Sequence, residues 1–212
     1  MRYLNKMYTS PPLQYLNDLS AWVTGVQDFE QLPNLIIDTA GKMLQAKASS
    51  LLLLNEDKET LRFDITTGDK KDEIKKYHVK MGQGIAGHVA QTGEPLLVSD
   101  VSQDKRWDQT ISEDVNFKTK SIACSPLKIN GDVIGVLQIV DRKDGFPLNE
   151  NDLHMLNVFA HVCSEAIRSA RRLESTHRKN LELNEQIAQR YKIVGNSREL
   201  KNAVADGFKV SK

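Results

Sequence analysis

The two cysteines, Cys124 and Cys163, are the strongest candidate nucleophiles in this 212-residue chain. A thiol becomes reactive when a neighbouring base or cation lowers its pKa. Neither cysteine has a base directly adjacent to it in sequence, and both stand in apolar surroundings. We therefore expect two reduced core residues and no catalysis, which suits a reducing compartment better than a disulfide framework.

Metal ligation has little support in the sequence. The five histidines are scattered, at His78, His88, His154, His161 and His177. Only His154 and His161 share a helical face, so no zinc or haem site is expected and no cofactor is identified. Four loop aspartates could hold iron together with Cys124 if the loop folded over it, namely Asp100, Asp104, Asp108 and Asp114. The alternative is an ordinary solvated loop.

Three glycines, Gly82, Gly84 and Gly87, resemble a phosphate-binding loop only superficially. The chain contains no GxxxxGK[ST]. The three glycines also lack the preceding strand, the long helix and the downstream acid of a dinucleotide-binding fingerprint. Nucleotide hydrolysis is therefore not expected of this chain, and we predict that it is not an enzyme.

The organising element is a hairpin formed by residues 121–129 and 133–141. Asn130 and Gly131 join the two runs and supply the positive φ angles that a tight two-residue turn requires. Both faces of the second strand are mostly apolar, so it should be covered on both sides. We predict that this hairpin lies in the centre of a sheet.

Composition excludes several classes of protein. The formal charge of +1 comes from 29 basic and 28 acidic residues, which leaves no field to hold a nucleic acid. The sequence has no continuous apolar run of the length that a signal peptide or a membrane helix needs. We expect a cytoplasmic protein that contacts neither nucleic acid nor membrane.

Other elements follow from hydrophobic periodicity. Helices are predicted after Leu13 and from Asp28, as N-cap, to Met43, with Pro33 in the first turn of the second. A short helix should begin at Ile85 and end at Gly93. The predicted strands are residues 48–55, 61–67, 77–81 and 96–98. The polar loop 101–119 is long enough to need a function or hidden helical turns.

The final helix should begin with a capping box at Asn149 and Asp152. No glycine or proline interrupts the chain between Leu148 and Gly195. A helix of about 40 residues would be about 60 Å long, which exceeds the diameter of the domain, so we expect its second half to project or pair. A parallel coiled coil with Asn184 in its seam competes with a solvated helix face. The predicted dimer interface comprises Leu156, Cys163, Ile167, Ala170 and Leu181.

The order of these elements resembles the GAF domain, a small-molecule sensing module. The likeness is carried by GQGIAGHVAQTGEPLLVSDV (82–101), DKRW (104–107), FKTKSIACSPLKINGDVIGVLQIVDRK (117–143) and FPLNENDLHMLNVFA (146–160). It implies an α+β fold with a central antiparallel sheet of about six strands, flanking helices and a long C-terminal helix. It also implies a ligand pocket between one sheet face and the long loop. Its expected lining is Met81, Ile85, Asp100, Trp107, Phe117, Ser121, Ile122 and Cys124.

Residues 117–127 look like the GAF domains of cyclic-nucleotide phosphodiesterases. Many of those have Asn-Lys after the last strand, then Phe, three residues and Asp-Glu. In place of Asn-Lys this chain has Asp141-Arg142. In place of Asp-Glu, four positions after Phe146, it has Glu150-Asn151. That departure counts against a cyclic nucleotide. Some GAF proteins reduce free methionine sulfoxide with two or three nearby cysteines, but here the two cysteines lie on different predicted elements.

Residues 191–212 resemble the entrance to the AAA+ ATPase domain of sigma-54-dependent transcription activators of the NtrC and NifA type, where a similar IVGxSxxLK segment precedes the phosphate loop. The likeness implies a tail (1–12), a GAF sensor (13–172), a coiled-coil linker (173–190) and the start of an AAA+ domain (191–212). The expected function is control of that ATPase, and through it of sigma-54 RNA polymerase, by a small-molecule effector and a homodimeric helix. The alternative is a phosphodiesterase-type or stand-alone GAF module that binds a cyclic nucleotide or another small ligand.

Overall fold

A computed structural model describes residues 31–190. In chain order the elements are α1 (Leu32–Met43), β1 (Ala46–Leu54), β2 (Thr60–Thr66), α2 (Lys71–Ile74), β3 (His78–Lys80), α3 (Gly84–Thr92), β4 (Leu96–Val98), a 3-10 helix (Val101–Gln103), α4 (Thr110–Asp114), β5 (Ile122–Ile129), β6 (Asp132–Arg142) and α5 (Glu150–Arg190). The strands form one sheet in the order β3-β2-β1-β6-β5-β4. All its pairs are antiparallel. The predicted six-stranded α+β fold is confirmed.

The central hairpin forms as its sequence predicts. Asn130 and Gly131 both have positive φ angles, 54° and 92°, as a two-residue hairpin turn requires. Strand β6 pairs with β1 on one side and with β5 on the other. The hairpin is therefore internal to the sheet, and neither of its strands is an edge.

Each face of the sheet carries its own hydrophobic core. On one face Leu137 and Ile139 of β6 pack with Leu156 and Phe159 of α5 and with residues of α1. On the other face Val136 packs with residues of α3 and of the loop 101–119. Burial of both faces explains why β6 reads as a nearly continuous apolar run.

The N-terminal part of the prediction is only partly within the described residues. Helix α1 starts at Leu32 with Pro33 in its first turn, where the missing N–H is tolerated. The tail 1–12, the helix after Leu13 and the proposed cap Asp28 lie outside the described residues. Residues 191–212 also lie outside them.

Helix α5 begins with the expected capping box. The Asn149 side chain accepts hydrogen bonds from the N–H groups of Asn151 and Asp152, at 2.9 and 3.4 Å. The Asp152 carboxylate accepts in return from the Asn149 N–H at 2.9 Å. Arg142 at the end of β6 pairs with Asp152 at 3.2 Å and with Asp144 at 2.7 Å. These bonds fix the start of the helix to the end of the central strand.

The predicted dimer interface needs a correction. The chain divides into two compact units between Ala170 and Arg171. Within the first unit Leu156, Cys163 and Ile167 are at most 7% exposed and belong to the α1/α5 core. Their apolar spacing serves the domain's own packing, so they are not available to a partner. Leu181, in the second unit, is 52% exposed.

Within residues 31–190, no helix has the length and hydropathy of a membrane span.

The carboxylate of Asp141 ties the end of the long loop to the sheet. Its Oδ1 accepts from the N–H groups of Lys120 and Ser121 at 2.9 and 2.7 Å. Its Oδ2 lies 3.6 Å from the Lys47 ammonium, an ion-pair distance that is too long for a hydrogen bond. The Ser121 hydroxyl accepts from the N–H of Leu148 at 3.2 Å, just before α5. The buried Asp141 carboxylate therefore connects the end of the loop to β1 and β6. Ser121 extends this connection to the residue before α5.

Gly135 in β6 is required by a neighbouring strand. From its sequence position we expect a helix packed close to it. In the structure a Cβ atom at Gly135 would overlap the carbonyl oxygen of Leu52 and lie 3.0 Å from Cδ2 of Leu53. The obstacle is the backbone of β1, not a helix. A backbone oxygen held in a sheet ladder has little freedom to move aside.

Gly135→Ala should therefore already cost about 1 to 3 kcal/mol of unfolding free energy, because a single methyl group suffices for the clash. Gly135→Leu should cost at least as much. Urea denaturation of the two variants checks this. If Gly135→Ala left the unfolding free energy unchanged while Gly135→Leu lowered it, the obstacle would lie farther from the backbone of β6, as a packed helix would.

Candidate ligand-binding site

A cavity of about 230 Å³ lies between the second face of the sheet and the loop of residues 101–119. Strands β1, β2, β5 and β6 supply its floor, and α2, α3 and the loop supply its walls. The apolar lining residues are Ala48, Phe63, Ile74, Val79, Ile85, Ala86, Trp107, Ile111, Val115, Phe117, Ile122 and Val140. Such a concave, mainly apolar space with a few polar groups is typical of a small-molecule site.

The loop contains the helical turns that its length predicts, and three aspartates hold it in shape. Asp100, Asp104 and Asp108 each accept a hydrogen bond from the N–H two residues later, at 3.0, 2.9 and 3.0 Å. This side-chain bond mimics a backbone turn and is a common use of aspartate in loops. The regular spacing of the acids therefore reflects a series of turns.

Hydrogen bonds favour the charged form of two of these carboxylates. The hydrogen bond from the Arg106 guanidinium lowers the pKa of Asp104 to about 2. Hydrogen bonds from the hydroxyl and N–H of Thr110, and from the Gln83 amide, lower the pKa of Asp108. The iron site considered above would need these acids as ligands, whereas the structure bonds them within the loop. Within residues 31–190, no three His, Cys, Asp or Glu side chains are grouped for a metal ion.

Aromatic residues of the loop form the roof of the cavity. Trp107 and Phe117 line it and pack partly buried against the second core. The Trp107 N–H donates to the Asp104 carbonyl at 3.0 Å, and that of Phe117 donates to Ser112 at 2.8 Å. These backbone bonds hold the turns that carry the two rings within the loop, while the rings themselves pack against the second core.

The floor has a polar centre formed by neighbouring strands. Ser50 of β1 pairs directly with Gln138 of β6, which in turn pairs with Cys124 of β5. The first two line the cavity. The Cys124 thiol lies 3.7 Å from the carbonyl oxygen of the Gln138 side chain. Ser50 and Gln138 are thus polar side chains in an otherwise apolar floor. Buried polar groups normally have hydrogen-bond partners, so the partners of these two side chains are of interest.

The structure separates the predicted lining residues into two groups. Ile85, Trp107, Phe117 and Ile122 all line the cavity. Met81, Asp100, Ser121 and Cys124 do not.

Each of the second group has another position. Met81 packs at the edge of the second core, and Cys124 is fully buried within it. Asp100 bonds to Ser102, and Ser121 bonds to Leu148, beside a separate surface cavity. Sequence reasoning missed Ser50, Phe63 and Gln138, because only strand register brings them under the loop.

Both cysteines are buried and unpaired, as predicted for core residues. Burial raises the pKa of Cys163 to about 12, and the charge of Asp64 adds to this effect. Burial also raises the pKa of Cys124. Neither thiol supplies a thiolate at neutral pH, which catalysis by cysteine would require.

The family model for the GAF domain matches residues 28–167, about two thirds of the chain. The chain belongs to the GAF family. The matched range contains the whole sheet, the loop and the cavity beneath it. The resemblance drawn from the sequence motifs is confirmed at this level.

Two curated relatives are phosphodiesterases. The chain is 32% identical over 163 residues to the probable 3′,5′-cyclic phosphodiesterase pde-5 of Caenorhabditis elegans, covering 70% of this chain and 22% of that protein. It is 35% identical over 109 residues to the dual 3′,5′-cyclic-AMP and -GMP phosphodiesterase 11 of Drosophila melanogaster, covering 51% and 7%. The chain thus spans under a quarter of either relative. What it shares with them is a regulatory GAF domain and not a catalytic one.

A solved GAF domain has the same fold. The GAF domain of a phosphoenolpyruvate-protein phosphotransferase from Coxiella burnetii aligns with a TM-score of 0.67 and 20% identity. The alignment covers 77% of this chain and 96% of that one. At this identity the likeness concerns the fold alone.

The cavity predicts that replacing two alanines of α3 by leucine will have unequal effects on stability. Both residues belong to the second core, with Ala86 6% and Ala90 3% exposed, but of the two only Ala86 lines the cavity. Ala86→Leu should stay within about 1 kcal/mol of the wild-type unfolding free energy because the added atoms enter open space. The matched Ala90→Leu should cost about 1 to 3 kcal/mol by overpacking. Chemical denaturation measures both, and equal losses would mean that no open space lies beside Ala86.

Proposed function

We propose that this GAF domain is a sensor that binds a small molecule beneath the loop of residues 101–119. The observation that supports it best is the cavity with its aromatic roof and polar floor. Protein interiors are close-packed and seldom leave space of this size. Ligand sites are the usual reason for a well-formed apolar cavity with a few polar groups.

The loop is suited to respond to a ligand. Its shape depends on hydrogen bonds between its own residues, and its end is held by Asp141. Trp107 and Phe117 can therefore adjust to an occupant while the sheet keeps its register. A ligand shifts such an equilibrium only as far as it binds one loop arrangement better than another.

We further propose that the domain controls a sigma-54-dependent activator. The support is the resemblance of residues 191–212 to the entrance of the AAA+ domain, together with a helix α5 that is continuous over 41 residues. In this proposal the signal passes along α5 to the ATPase and on to sigma-54 RNA polymerase.

The phosphodiesterase relatives support a second candidate. A phosphodiesterase-type GAF module for a cyclic nucleotide would explain the identity of 32% and 35% to two such enzymes. The coding sequence beyond Lys212 separates the candidates. A GxxxxGK[ST] within about 30 residues supports the activator, whereas a different domain there contradicts it.

The ligand-binding proposal predicts that the protein purified from its source carries a small molecule. Native mass spectrometry should detect an added mass on the wild-type chain and none on Ala86→Leu, whose larger side chain would occupy the cavity. The control is Ser125→Ala, a buried position outside the cavity lining. An identical adduct on all three proteins would place the ligand elsewhere. If every preparation showed only the mass of the unliganded protein, the proposal that a small molecule binds tightly in this cavity would be contradicted.

We also propose a homodimer through the second part of α5. Leu173 and Leu181 are 54% and 52% exposed there. Exposed leucines that recur along one helix are typical of a pairing surface.

Leu181→Asp should shift the protein toward monomer in analytical ultracentrifugation, because it would bury a charge in the seam. Glu182→Asp, next to it in sequence and exposed, should leave the mass unchanged. A dimer that survives Leu181→Asp would place the interface on other residues.

A further inference from the structure

The polar centre of the cavity floor has unused hydrogen-bonding capacity. Among the described residues, nothing bonds to the Ser50 hydroxyl, and the Gln138 side chain bonds only through its carbonyl oxygen. Ser50 is 3% exposed, and both residues line the cavity. Neither polar end is fully enclosed by protein atoms, since Asp141 Oδ2 is the one fully buried side-chain oxygen or nitrogen without a bond in the described part of the chain.

The direction of the Gln138 amide follows from Cys124. The thiol of Cys124 is protonated because burial raises its pKa, so it acts as a donor. It lies 3.7 Å from the Gln138 carbonyl oxygen. The NH₂ group of Gln138 is therefore the end that remains for a ligand. Ser50, its cross-strand neighbour, adds a hydroxyl that donates or accepts. Together they present a donor-rich pair to any molecule in the cavity.

Charged groups around the cavity already have partners. The Lys70 ammonium bonds to Glu73 at 2.9 Å. The Asp108 carboxylate accepts from Gln83 and Thr110, both at 2.6 Å. His78, which also lines the cavity, is exposed to solvent. The polar groups at the floor are thus all neutral, and an ionised ligand buried there would lack a countercharge.

Size and shape limit the ligand further. A cavity of about 150 Å³ holds benzene, and drug-sized ligands occupy about 300 to 1,000 Å³. The present volume of about 230 Å³ lies between these values. Phe63, Trp107 and Phe117 give the walls flat aromatic faces, which favour a planar partner.

We infer that the cavity takes an uncharged, planar molecule of about one or two rings, with a hydrogen-bond acceptor directed at Ser50 and Gln138. The inference rests on the proposed ligand-binding function and specifies its chemical class. It argues against a cyclic nucleotide, whose phosphate carries a charge and whose size exceeds that of a small planar ring.

Three matched probes test this class: benzamide, benzoate and toluene. Each is titrated against the full chain carrying Trp22→Phe, so that Trp107 is the sole tryptophan. Benzamide should bind about tenfold more tightly than the other two, because it alone is both neutral and equipped with an acceptor. Ser50→Ala should weaken benzamide about 3- to 10-fold, the worth of one hydrogen bond, and leave toluene unchanged. Gln138→Met should act in the same direction.

Two control variants and a fourth probe, cyclic GMP, complete the experiment. Ser125→Ala should change neither benzamide nor toluene binding, and Ala86→Leu should abolish both. Benzamide binding that survives Ala86→Leu would overturn the inference, since the site would lie elsewhere. Tighter binding of benzoate or of cyclic GMP would overturn the class of ligand while leaving the proposed function intact. A flat Trp107 signal with all four probes would also overturn the inference, and the adduct measurement on source protein then decides the proposed function by itself.

Discussion

The buried carboxylate of Asp141 is the constraint on which the rest of the structure depends. One of its oxygens holds the backbone of residues 120 and 121, while the other faces the Lys47 ammonium. Burying a charge is costly unless it is hydrogen-bonded and paired, so these contacts form a set that must be kept together. They fix the point at which the long loop returns to the sheet, and Ser121 extends the same network to the start of α5.

A loop that is fixed at its end but shaped by its own side chains can enclose space without filling it. The core under α1 and α5 is packed by large apolar residues such as Phe159 and Leu137, whereas the opposite face leaves a cavity. The difference arises from what covers each face. Long helices present apolar side chains continuously, but a loop built from aspartate turns reaches the sheet with only a few aromatic residues, chiefly Trp107 and Phe117.

Contacts between residues that are close in sequence could be predicted, whereas contacts between distant strands could not. The Asn130-Gly131 turn and the Asn149/Asp152 capping box depend on residues within a few positions of each other, and both form as predicted. The pairing of Ser50 with Gln138 depends on register between distant strands, and the role of Asp141 on a partner 20 residues away. The apolar spacing of Leu156, Cys163 and Ile167 was ambiguous, since one helical pattern serves either a core or a dimer seam. Four of the eight residues predicted to line the pocket do line the cavity, because they lie in α3, in the loop and in the central hairpin.

The central claim is that open, mainly apolar space lies between this sheet and its loop. Xenon occupies such cavities and scatters X-rays anomalously, so diffraction from a xenon-pressurised crystal tests the claim most directly. We predict an anomalous peak bounded by Ile85, Trp107 and Ile122, and its absence when Ala86→Leu is treated in the same way. A wild-type crystal with no xenon among these residues, and with Trp107 packed onto Val140, would contradict the account.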